Sequence, residues 1–323
     1  MSMTETVDQI FDRRNLRRKV TFWRIAAFVA LVAALVAALW AGGLFSGQGA
    51  SGDHIARVSI SGVIQQDRPL LEMLEKIEKD DSVKGVVLTI NSPGGTTVGG
   101  EDIFNAVRKV AEKKPVAASV GTLAASAGYM IATGSDHIVA RRSSIVGSIG
   151  VIFQYPQAHK LLDKIGVSLE EVKSAPLKAE PSPFHVPPPG AIAVIEELID
   201  DSYQWFVDLV TDRRPLNRAE VLALADGRIM SGDRGVETKL IDAIGDEEAA
   251  RKWITAKDGI ADDLELVDWN PKRKEDSLFF RSQARAWVAQ QLGLPAAALP
   301  DEALDRIIPK RLFLDGLLSL WQG

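Results

Sequence analysis

The apolar positions of this chain change period several times, and each change predicts an element. From His54 to Val63 apolar and polar residues alternate, as in a half-buried strand. Residues Arg68 to Lys79 put Leu70, Leu71, Leu74 and Ile77 on one helical face. Gly85 to Ile90 is a continuous run rich in Val and Ile, the pattern of a strand buried on both sides. Asn91-Ser-Pro-Gly-Gly95 breaks it sharply. Ile103, Phe104, Val107, Val110 and Ala111 then recur at helical spacing until Pro115. Val116 to Val120 predicts another short strand, Gly121 to Met130 a run of small residues, and Ile138 to Ala140 a further strand.

The second half continues in the same manner. A helix is expected around Leu161, Leu162 and Ile165, a strand from Val167 to Val172, and a proline-rich stretch from Pro176 to Pro189. A long helix from about Ala191 to Asp212 carries Ile195, Leu198, Ile199, Phe206, Val207 and Val210 as its stripe. Val221 to Ile244 reads as a helix, a short strand Arg228–Met230 and a helix begun at Ser231. Strands alternating with helices imply an α/β fold with a largely parallel sheet and crossover helices.

Ahead of this lies a run without charge, Ile25 to Phe45. At about 1.5 Å per residue it spans roughly 30 Å, the hydrocarbon thickness of a bilayer. Trp23 and Trp40 lie near its ends, and Arg13, Arg14, Arg17, Arg18, Lys19 and Arg24 precede it. Positive charge stays cytoplasmic, so an N-terminal transmembrane helix with the remaining chain outside is expected, as in a bacterial-type inner membrane protein facing the periplasm. A cleaved signal peptide is the alternative, although its apolar core is usually shorter, about 7–15 residues. The chain thus divides into a basic segment (1–24), an anchor (25–45), a Gly/Ser tether (46–53), an α/β domain (54–257) and an extension (258–323). Leu312, Phe313, Leu314, Leu317, Leu318, Leu320 and Trp321 give the extension an apolar end. A neighbouring subunit or the bilayer is expected to cover it, with a place in its own core as the alternative.

Composition removes whole classes of function. A net charge of −5 over 323 residues leaves no basic footprint for nucleic acid. With no cysteine there is neither a disulfide nor a thiolate nucleophile. His54, His137, His159 and His185 are scattered without metal-ligand spacing, so no metal or other cofactor is expected.

Three features remain that could carry chemistry. Ser126 lies in Gly121-Thr-Leu-Ala-Ala-Ser-Ala-Gly-Tyr129, between a buried strand and a helix-like run, where backbone N–H groups suit an attacking oxygen. The same small residues also serve plain helix-on-sheet packing, and serine is an ordinary N-cap. A nucleophilic serine needs a base. His137 follows Ser126 too closely, and His159 and His185 have no partner pattern. Lys173 and Lys178, flanking Ser174-Ala-Pro-Leu177, are the other option, provided one is desolvated; the competing role is a solvated loop charge. Gly94 and Gly95, at the carboxyl end of a buried strand, would let an N–H approach an oxyanion or merely turn the chain.

Four motifs, Asn91-Ser-Pro-Gly-Gly95, Ala124-Ala-Ser-Ala-Gly-Tyr129, Val146-Gly-Ser-Ile-Gly-Val151 and Ser174-Ala-Pro-Leu-Lys178, resemble the signal peptide peptidase A family in order and spacing. The resemblance covers roughly residues 54 to 250. It implies the Clp/crotonase fold, with Ser126 as nucleophile, Lys178 as general base and Ser148 holding the lysine. It also implies an oxyanion hole from the Gly95 and Ala127 backbone N–H groups. Ala127 and Ala175 stand where glycine is frequent, a change that backbone donors survive. A single copy of the unit resembles the short members, which form homo-oligomeric rings with sites built between neighbours. Signal peptides left in the membrane, and other membrane-associated peptides, are the expected substrates. Three alternatives compete. A Clp-type Ser-His-Asp protease would need a histidine where Ser148-Ile-Gly-Val151 stands. A crotonase-like acyl-coenzyme A enzyme would need neither Ser126 nor an anchor. A non-catalytic membrane scaffold is the third.

Overall fold

The computed structural model describes residues 23–24, 26–32, 52–271 and 318–320, in two compact units, Met1–Ser51 and Gly52–Gly323. In the first unit residues 23–24 and 26–32 are helical. Among the described residues no helix is long and apolar enough to cross a membrane. Most of the stretch 25–45 lies outside them.

The second unit opens with β1 (His54–Ser61), whose alternating residues are mostly buried. Asp67 caps α1 (Arg68–Lys79), accepting from the Leu70 N–H at 3.1 Å, and Leu70, Met73, Leu74 and Ile77 turn inward. β2 (Val83–Ser92) is buried on both faces, with Val86, Val87, Leu88 and Ile90 fully enclosed. Each such side chain contributes about 1.5–3 kcal/mol. After Pro93 comes the short β3 (Gly94–Thr96), then α2 (Thr97–Ala111), capped by Thr96. β4 (Val116–Ala125) runs five residues beyond the expected strand, straight to Ser126, and hands over to α3 (Ala127–Thr133). Small residues hid that extension: Ala124 and Ala125 are fully buried but carry no branched side chain to signal a strand.

β5 (His137–Ala140) and β6 (Ile145–Gly147) follow, then a long loop containing only α4 (His159–Lys164). The strand expected over Val167–Val172 does not form. Val167, Leu169 and Val172 are exposed, and among the described residues the segment pairs with no strand. Next come α5 (Ala191–Arg213), α6 (Arg218–Leu224), β7 (Ile229–Ser231) and α7 (Gly232–Glu237). The unit continues with β8 (Ala243–Ile244), α8 (Glu247–Thr255), β9 (Leu266–Trp269) and β10 (Leu318–Leu320).

The main sheet has the order β7-β6-β4-β2-β1-β9, with β5 on β4 and β8 on β5. Its pairs are parallel apart from β6–β7. One face packs on α1, α2, α3 and α5 through residues such as Leu74, Val107, Tyr129 and Phe206. The other packs on α8, where Ala250 and Ile254 meet Ile55, Val87, Ala117 and Val139. This is a mixed α/β fold of strand–helix units, covered on both faces. The backbone of 318–320 pairs with β3 of its own chain; the other residues of the expected apolar end lie outside the described ones.

Candidate active site

Parallel pairing brings two of the predicted serines together. Ala125, the last residue of β4, is registered on Gly147, the last of β6, so Ser126 and Ser148 leave the sheet side by side. Neighbouring strands lie about 4.8 Å apart. The Ser126 N–H donates to the Gly147 carbonyl at 2.8 Å, and the Ser148 N–H donates to the Arg228 carbonyl at 2.8 Å. Both serines are nearly buried, and both are held at positive φ, 56° and 54°. Non-glycine residues avoid that region, and such strain gathers at functional sites. Ala179, next to Lys178, is held at 61°. The Ser126 hydroxyl makes no cap bond to α3, so it is not the ordinary N-cap the sequence allowed.

The glycine turn packs against the same corner. A Cβ on Gly95 would stand 1.8 Å from the Ile64 carbonyl oxygen, so only glycine fits. The Gly94 N–H donates to Ser92 Oγ at 3.1 Å, and that hydroxyl donates to the Gly62 carbonyl at 2.7 Å. Gly95, registered on Ser319 of β10, carries the other glycine N–H of this turn. Ser92 is fully buried and fixes the turn, a role the sequence signalled only by placing a serine inside Asn91-Ser-Pro-Gly-Gly95. A Cβ on Gly128 would lie 3.0 Å from the Ser92 carbonyl oxygen, which ties the glycine turn to the first turn of α3, where Ala127 is buried.

Lys178 lies on the loop between α4 and α5. Its loop is exposed, and among the described residues its ammonium makes neither a hydrogen bond nor an ion pair. Lys173 instead joins a clasp in the same loop, bonded to Glu180 at 2.5 Å and Glu171 at 2.6 Å, with His185 at 3.2 Å from Glu180. The Lys173 ammonium holds the Glu180 carboxyl below the usual carboxylate range. Glu171, Glu180 and His185 could together face a cation, but Lys173 already provides one.

The histidines are placed elsewhere. His137 opens β5 opposite Ala117, nine residues before Ser126, which along a strand is about 30 Å. It stacks on Trp253 with ring centroids 4.8 Å apart, and burial lowers its pKa. His54 opens β1, accepting from the Trp269 indole at 3.1 Å. Beside Ser148 is a cavity of about 530 Å³ whose walls include Glu196, Asp200, Tyr203 and Asp226. Arg228 holds the Asp226 carboxyl down at about 2, so it is ionised across the physiological range.

Residues 108–261 match the model of peptidase family S49, and residues 57–155 match that of Clp protease, in keeping with a Clp-like sheet. A protein named as a protease from Synechocystis is 37% identical over 216 residues, 66% of this chain and 78% of that one. A protein named as a protease from Methanocaldococcus jannaschii is 38% identical over 185 residues, covering 57% and 60% of the two chains. One named as signal peptide peptidase SppA from Enterococcus faecium is 37% identical over 217 residues, 63% of each chain. The match therefore spans less than two thirds of the latter two relatives. The strained serine corner and these matches agree: the chain belongs to peptidase family S49, the family of signal peptide peptidase A, and is a serine peptidase.

Proposed function

We propose that this chain is a membrane-anchored endopeptidase working with a Ser126–Lys178 dyad, completed between neighbouring copies in a ring. The observation that carries the proposal is the pair Ser126 and Ser148, each held at positive φ on adjacent strand ends. Neutral Lys178 takes the Ser126 hydroxyl proton as Oγ attacks the peptide carbonyl carbon. The oxyanion accepts from the Gly95 and Ala127 N–H groups, which need no reorganisation as charge develops. The resulting ammonium gives its proton to the leaving amine, and water, deprotonated by the same lysine, releases the acyl group. Ser148 orients the lysine.

Two features support a neighbour as the source of the lysine. Lys178 is solvated within its own chain, whereas a general base of this kind requires desolvation. The carboxylate-bearing cavity beside Ser148 is suited to receive a cationic loop from outside. The basic segment before the uncharged run 25–45 supports an anchor with the peptidase unit on the outer side. Residual signal peptides and other membrane-associated peptides are the substrates this placement favours.

Labelling with a fluorophosphonate tests the proposal. Intact assemblies should label at Ser126, and Lys178→Arg should stop labelling, because guanidinium does not deprotonate. Equal labelling of the arginine variant would remove lysine as the base.

A further inference from the structure

The loop that carries Lys178 adds nothing apolar to the core. Among the described residues no hydrophobic side chain between Ile149 and Ala191 is buried, and Ser174 to Ala179 are all exposed. Yet the side chain of Glu180, two residues beyond Lys178, is only 2% exposed. Both oxygens of its carboxylate are engaged. Oε1 accepts from the Lys173 ammonium at 2.5 Å and lies 3.2 Å from His185 Nε2, and Oε2 accepts from the Ser182 N–H at 2.9 Å. Lys173 also meets Glu171 at 2.6 Å, and the two carboxylates raise its pKa, which keeps it an ammonium.

The Lys173–Glu180 bond joins residues seven positions apart and closes the chain around Lys178. Inside that closure the Lys178 N–H donates to the Ala175 carbonyl at 3.1 Å, and the Glu180 N–H donates to the Leu177 carbonyl at 3.4 Å. Ala179, between them, is held at positive φ. The closure is itself anchored: Ser182 is buried, and the Ala158 N–H donates to the Pro183 carbonyl at 2.7 Å, just before α4. Ion pairs withdrawn from water add little net stability, and fixing one conformation is a use they do have. An exposed loop without such a tie leaves its lysine many conformations to lose before it can react.

We infer that Glu180 and Lys173 are positioning residues for the reaction, a clasp that fixes the turn from which Lys178 reaches Ser126 of a neighbouring copy. The inference rests on Lys178 being the base. It assigns Lys173, the other lysine of this loop, to the clasp, where it takes no proton from serine. A displacement of about 1 Å at a reacting group costs about 10²-fold in rate, so loosening the turn acts on kcat. KM holds, because the base acts in the transition state rather than on bound substrate.

The test compares the detergent-solubilised full-length chain with Glu180→Gln, Lys173→Met, Lys173→Arg and Lys178→Arg. Glutamine keeps the shape of Glu180 without its charge, whereas arginine keeps the charge of Lys173 and cannot deprotonate. Glu180→Gln and Lys173→Met should lower kcat on a peptide substrate about 10–10²-fold with KM within about twofold, and Lys173→Arg should stay within about threefold of wild type. In a Ser126→Ala background, amide exchange read by mass spectrometry should quicken about tenfold over residues 171–185 in the glutamine and methionine variants, and remain unchanged over β4. Wild-type kcat in Glu180→Gln and Lys173→Met, beside an inactive Lys178→Arg, overturns the clasp and spares the dyad. An inactive Lys173→Arg with unchanged exchange makes Lys173 the base and also overturns it. An active Lys178→Arg removes the dyad itself, and the inference with it.

Discussion

Gly95→Ala probes the corner where fold and chemistry meet. The new Cβ would sit 1.8 Å from the Ile64 carbonyl oxygen and 2.5 Å from the Ile64 carbonyl carbon and nitrogen. All three are backbone atoms, so no rotamer change relieves the clash. β3 must move off Ile64, losing the bonds at 2.8 and 2.9 Å that join them. Two bonds at about 0.5–1.5 kcal/mol each, with about 1–3 kcal/mol of overpacking strain, sum to about 2–6 kcal/mol. Displacing one oxyanion donor should also lower kcat by about 10²–10³. Gly121→Ala is the control: its Cβ would make an ordinary contact at 3.4 Å with Asn91 and Ile90, and should change stability by only about 0.5 kcal/mol. Urea midpoints by circular dichroism and kcat on a peptide substrate report the two effects separately. A Gly95→Ala protein with a wild-type midpoint and a kcat within about threefold of wild type would refute both parts of the reasoning.

Other substitutions isolate single contributions. Lys178→Ala and Lys178→Arg should each lower peptide cleavage by about 10²–10⁴ with unchanged circular dichroism, since the side chain is exposed and the loss is of a base. Ser92→Ala removes a buried hydroxyl that serves both Gly62 and Gly94, and should lower stability by about 1–3 kcal/mol in the same urea assay. His137→Phe should flatten the acid side of the stability profile. Burial lowers the folded imidazole's pKa, so as pH falls past about 6.5 the unfolded chain binds the proton first and stability is lost toward the folded value. Urea midpoints at pH 7.5 and 5.5 measure this, and an equal drop in the phenylalanine variant would show that other groups cause it.

Much of this architecture was legible because burial and periodicity agreed. The alternating β1, the doubly buried β2 and the one-sided α1 each follow from local pattern. Ser126 was visible as a serine among small residues, but its strained φ was not, since that depends on β4 continuing to Ala125 beside β6. β6 itself is three residues long, too short to show a period. The strand expected at Val167–Val172 failed because three apolar residues among Ser168, Glu170 and Glu171 do not by themselves supply a pairing partner or a core to face. The β10–β3 pairing escaped the sequence altogether: its register is set by backbone groups that Ile64 leaves over on β3.

The central claim is that Ser126 of one subunit works with Lys178 of another. Mixing Ser126→Ala and Lys178→Ala subunits in equal amounts, dissociating them and letting them reassemble tests it most directly. A shared site is whole when a Lys178→Ala subunit supplies the serine and a Ser126→Ala subunit supplies the lysine, which random mixing yields at roughly a quarter of sites. The account predicts peptide cleavage recovering to about that fraction of wild type from two inactive parents. Mixed assemblies, verified by distinct tags, that stay inactive would contradict it.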